Sequence, residues 1–126
     1  MTIESFRDLQ VWQRSIQLSV SIYRMTKGFP REEIYGPTSQ MRRAAVSVAS
    51  NIAEGHGRLT TGEYKQFLGV ARGSNFELQT QIEIARALGF SDNGTLAEAE
   101  GLSFEVGKMT SGVLNALKEK VLVKRP

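Results

Sequence analysis

Apolar side chains return every three or four residues in four separate runs of this sequence, and that spacing belongs to the α-helix. The last run is the clearest. Leu96, Ala99, Leu102, Val106, Met109, Val113 and Leu117 follow one another at steps of 3, 3, 4, 3, 4 and 4. A helix turns once in about 3.6 residues, so these seven share one face. No run of alternating apolar and polar residues long enough for a strand accompanies them.

The ends of each run carry helix signals. Ser5-x-x-Asp8, Thr60-x-x-Glu63 and Thr95-x-x-Glu98 read as three capping boxes. In the first run Leu9, Trp12, Ile16, Val20 and Tyr23 form the expected core stripe, and Val11, Leu18, Ile22 and Met25 widen it. A helix with two apolar flanks is expected to bury one in its own bundle and one against a second surface. Gly28 suits a left-handed terminal position and Pro30 stops the helix. Residues 29–36 read as a loop with one turn at 31–33, after which Pro37 pre-sets the first turn of helix two. There Met41, Ala45, Val48 and Ile52 make the stripe, Ala44 and Ala49 thicken it, and Gly55 and Gly57 end it. Helix three is expected from about Thr61 to Leu88, with Tyr64, Phe67, Leu68, Ala71, Leu78, Ile82, Ala85 and Leu88 inward and Gly89 closing it. Gly69, Gly73 and Ser74 read as points of close helix contact within or between subunits. The end, 118–126, is expected to fray. Four helices with short connections predict one all-α domain over residues 1–126, an up-down-up-down four-helix bundle.

Composition narrows the class. With 126 residues, 40% of them hydrophobic, about 50 apolar side chains are enough for a core. There is no cysteine, hence no disulfide frame and no thiolate nucleophile or metal cluster. The ten residues between Arg43 and Glu54 are the longest uncharged stretch, against roughly 20 needed to cross a bilayer. The start, MTIESFRDLQVW, lacks a basic leader followed by an apolar run. The expectation is a cytoplasmic protein with no membrane partner.

The net charge is only +3, but residues 38–75 hold five basic groups against two acidic ones. Those five, Arg42, Arg43, Arg58, Lys65 and Arg72, are the candidate nucleic-acid contacts, because guanidinium and ammonium groups match phosphate oxygens. Arg42 and Arg43 are about 100° apart on a helix and cannot face one spot. Lys65 and Arg72, seven apart, share a face. Arg58 joins them through the turn, where Gly55 and Gly57 are expected to permit positive φ and Glu54 to pair with Arg58. The GHG of that turn lacks the Lys-Ser/Thr of a phosphate-binding loop. His56 is the single histidine and has no ligand partners at metal spacing, so neither a metal nor another cofactor is expected. No catalytic constellation stands out, and the chain reads as a non-enzyme.

The blocks FRDLQVWQ, FPxxEIYG, QMRRAAVSVASNIAEGHGR and EYKQFLGVARGSNFELQTQIEIARALGF stand in this order over residues 6–90. Together they resemble the four-helix bundle proteins encoded by intervening sequences of bacterial large-subunit ribosomal RNA genes. The chain is also similar to the accessory protein of diversity-generating retroelements, a pentameric barrel that binds nucleic acid and its reverse transcriptase. The resemblance implies a bundle that assembles as a ring, usually a homopentamer, without a settled biochemical activity. The function expected from charge and resemblance is binding of structured RNA or DNA. The alternative is a scaffold that docks a protein such as a reverse transcriptase.

Overall fold

Each of the four apolar runs becomes a helix. The computed structural model describes residues 3–122 and contains α1 (Gln10–Thr26), α2 (Pro37–His56), α3 (Thr61–Leu88) and α4 (Asn93–Leu122). Two 3-10 turns, Phe6–Asp8 and Arg31–Glu33, precede α1 and α2. Short connections make successive helices antiparallel. α1 packs on α2 and α4, and α3 packs on the same two, so the four form a square with no strand among the described residues. Its centre holds Leu18, Ile22, Met25, Met41, Ile52, Leu68, Leu78, Ile82, Leu96 and Val106, all fully buried. Phe29 and Phe90 meet at 5.3 Å between ring centres and close the end where the α1–α2 and α3–α4 connections lie.

The stripes of α2, α3 and α4 are inward as their spacing predicts, except that Leu88, the last residue of α3, is exposed because the helix end projects past the core. The stripe of α1 is not inward. Val11, Ser15, Leu18, Ile22 and Met25 face the core, Leu9 and Trp12 are half-buried, and Ile16, Val20 and Tyr23 are exposed. Both sets have helical spacing, and the inner one contains a serine that disguises it. The Ser15 hydroxyl donates to the Trp12 carbonyl at 2.6 Å, so burial leaves it satisfied.

Two contacts set how the helices approach. Gly55 lies inside α2 against α3, where a Cβ would stand 2.8 Å from the Cβ of Phe67 and 3.3 Å from the Tyr64 carbonyl oxygen. It is therefore a packing glycine and not a turn residue, and Gly57 has an ordinary φ of −79°. Among the described residues the one positive φ belongs to Gly89, at 69°, which closes α3 as expected. Gly28 does not take that role, because α1 ends in ordinary helical geometry at Lys27. Between α3 and α4, buried Asn75 donates from Nδ2 to the Ser103 carbonyl at 2.9 Å, and the Ser103 hydroxyl donates back to Asn75 Oδ1 at 2.7 Å. Ser74 meets Ser47 of α2 hydroxyl to hydroxyl at 2.9 Å, whereas the Cβ directions of Gly69 and Gly73 are open.

The caps differ from their sequence reading at two of three places. Ser5 and Asp8 do form a capping box, but for the 3-10 turn, and α1 begins after Leu9. Thr60 caps α3 as read, accepting from the Glu63 N–H at 3.1 Å. For α4 the cap is Asp92, one turn before Thr95: its carboxylate accepts the Thr95 N–H and hydroxyl, each at 2.8 Å. The Asp92 side chain reaches that N–H first, and Thr95 becomes the third helical residue. The frayed end expected over 118–126 is helical to Leu122 in its backbone, and 123–126 lie outside the described residues.

Three expectations follow. Gly55→Ala loses about 1–2 kcal/mol in urea unfolding, because the clash outweighs the gain in helix propensity. Gly73→Ala, with open space at its Cβ, gains up to about 1 kcal/mol. Hydrogen bonds from Thr95 hold the Asp92 carboxyl below the usual carboxylate range. A depressed folded pKa means that its contribution is complete above the unfolded value and fades as pH falls through the folded one. Asp92→Ala is expected to lower Tm at neutral pH and to flatten the fall in Tm between about pH 5 and pH 2.

Candidate nucleic-acid interface

The Asn75–Ser103 bonds fix the register of α3 against α4 and so decide which surface residues become neighbours. A groove of about 540 Å³ runs between the two helices. Asn75 and Gly107 are among its lining, with Phe76 and Phe104, each 50% exposed, and the cations Arg72 and Lys108. Gln79, Ser111 and Asn115 add polar groups, and among the described residues no carboxylate lines it. The Arg72 guanidinium stands 5.3 Å from the centre of the Phe76 ring.

Several carboxylates of these helices are directed elsewhere. Glu105 pairs with Arg14 of α1 at 3.5 Å. Arg86 bonds both Glu83 and Glu100, the latter at 3.1 Å. Glu98 lines the α1–α4 cleft with Arg24, and Glu77 lines the α2–α3 cleft with Arg43. The described lining therefore holds two cations, Arg72 and Lys108, a local excess of positive charge.

The five basic residues singled out in the sequence do not form one patch. Arg42 is tied to α1: its Nε donates to Thr26 Oγ1 at 2.9 Å and its guanidinium lies 4.7 Å over the Tyr23 ring. Arg43 points away from it, exposed beside the α2–α3 cleft. Arg58 is exposed past the end of α2 and stacks 4.4 Å over Phe67, so the guanidinium takes an aromatic face instead of Glu54. Lys65 and Arg72 do share a face of α3, seven residues apart. Lys108, Phe76 and Phe104 were missed by the sequence reading. Their signal was present: Arg72 and Phe76, and Phe104 and Lys108, are both cation and ring four apart, off the core stripes.

His56 packs edge-on against Tyr64 at 5.8 Å between ring centres, and burial pushes the Tyr64 phenol above its ordinary pKa. Among the described residues no group of three or more His, Asp and Glu side chains is placed to share a metal ion, and no helix is long and apolar enough to cross a membrane.

The fold recurs in a protein of unknown function from the S23 ribosomal protein family of Bacteroides thetaiotaomicron VPI-5482. The two superpose with a TM-score of 0.77 at 18% identity, over 82% of this chain and 97% of that one. No curated protein matches the chain. The family model of the 23S rRNA-intervening sequence protein matches residues 7–112, from the turn before α1 into the second half of α4, and the chain therefore belongs to the 23S rRNA-intervening sequence protein family.

Proposed function

We propose that this chain is a non-enzymatic, ring-forming helical bundle that binds structured RNA or DNA through basic surface residues. The observation that carries the reading is the α3–α4 groove, which presents Arg72 and Lys108 with no carboxylate among its described lining. Lys65 extends that line of charge along α3. Arg43 and Arg58, both exposed, supply outlying phosphate contacts. Arg42 is left out of the set, because its guanidinium is engaged by Thr26 and Tyr23. Lysine and arginine contacts to phosphate give affinity that falls with salt and carries little sequence information.

The ring, a homopentamer by the resemblance of the sequence, multiplies a weak site. Ile16, Val20 and Tyr23 leave an apolar ridge exposed on α1, and such a ridge suits a head-to-tail contact between copies, the kind that closes into rings. Several identical grooves on one particle raise the effective affinity for a long polyanion without any new contact. A second reading, the scaffold that docks a reverse transcriptase or similar protein, is favoured by Ile34 and Tyr35, 53% and 95% exposed beside the 3-10 turn before α2. A stoichiometric protein partner that survives nuclease in a pull-down favours the scaffold.

Fluorescence anisotropy of a labelled RNA hairpin, titrated at 50 and 200 mM salt, tests the binding. Tight binding at low salt that weakens steeply is expected. Arg72→Ala with Lys108→Ala should weaken it about tenfold and reduce the slope of log Kd against log salt by about 2. An unchanged slope removes the groove from the site. Light scattering tests the ring: a mass several times the 14.0 kDa of one chain is expected, and a monomer at micromolar concentration overturns it.

A further inference from the structure

Resting on the nucleic-acid reading above, we infer that the α3–α4 groove takes unpaired nucleotides, with bases stacked on Phe76 and Phe104 and neighbouring phosphates on Arg72 and Lys108. Phe76 follows Asn75 and Phe104 follows Ser103, and those two residues are bonded to each other at 2.9 and 2.7 Å. The rings therefore stand at one level of the groove. Arg72 precedes its ring by four residues and Lys108 follows its ring by four. Because the helices are antiparallel, both cations lie about 6 Å, just over one turn, toward the same end.

This order of ring level and cation level matches the repeat of a single strand, in which each flat base is tethered to a phosphate. Aromatic side chains bind any base by its face, and basic neighbours hold the backbone. A duplex cannot use the rings, because its base faces are already stacked inside. Both phenylalanines are half in water, and the one group stacked on them is the Arg72 guanidinium over Phe76, an exposed cation–π contact that a base can replace. The absence of a carboxylate from the described groove lining removes the repulsion a phosphate would meet.

The test compares an unstructured 12-nucleotide RNA with a blunt duplex of the same sequence, each titrated with full-length protein at 50 mM salt. Charge alone favours the duplex, which carries twice the phosphates. The expected result is tighter binding of the single strand, reduced about tenfold by Phe76→Ala and about as much again by Phe104→Ala, with duplex binding within twofold of wild type. Phe76→Trp with Phe104→Trp, which keeps the stacking faces, should retain the preference, and circular dichroism checks that each variant is folded. If the alanine variants weaken both RNAs equally or neither, the stacking site is wrong while the nucleic-acid reading stands on duplex binding. If wild type binds neither RNA, both fall. If the double alanine variant loses oligomeric mass but keeps its single-strand preference, the rings belong to a subunit contact and the inference is overturned.

Discussion

The reciprocal hydrogen bonds between Asn75 and Ser103 are the constraint on which the α3–α4 surface depends. Both side chains are buried, so water cannot replace either partner. Sliding one helix along the other would leave an amide or a hydroxyl unsatisfied, at about 1–3 kcal/mol each. Apolar contacts between helices tolerate such slips far better. The approach is close as well: a Cβ on Gly107 would stand 3.4 Å from the Asn75 amide nitrogen. One polar pair thereby aligns two rings and two cations that are far apart in sequence.

The ion pairs of the bundle matter less for stability than for what they leave behind. Arg14–Glu105 and Arg86 with Glu83 and Glu100 are at least partly exposed, and such pairs contribute little to folding. Their effect is on the distribution of charge. They hold Glu83, Glu100 and Glu105 against arginines outside the groove, whose described lining carries one sign of charge. A chain nearly balanced in charge thus presents a cationic face without a run of basic residues.

Much of the fold was legible in the sequence, and the parts that were not have physical causes. Met41, Ala45, Val48 and Ile52 were found because only one face of α2 is apolar. On α1 both faces carry apolar residues, and the inner one includes Ser15, whose burial depends on a backbone bond that spacing cannot show. Gly89 was read as a left-handed cap and is one, whereas Gly55 resembled a turn residue because the collision it avoids is with another helix. Asn75 and Ser103 carry no signal of burial in the sequence, because each is satisfied by a partner on the other helix. Lys65 and Arg72 were placed on one face by their spacing, but Lys108 joins Arg72 only through the packing of α4 on α3.

The square of helices has three edges between neighbours in sequence and a fourth, α1 against α4, between the first helix and the last. The first three close over short loops and are entropically cheap; the fourth must gather nearly the whole chain. A bundle built this way is rich in local contacts, the topology that goes with fast folding. That seam is held by half-buried side chains such as Leu102 and Met109 and by the exposed Arg14–Glu105 pair, whereas the α2–α3 edge is locked by Gly55. The α1–α4 seam thus works as a clasp, joining the first helix to the last, while the α3–α4 edge carries a polar pair of its own.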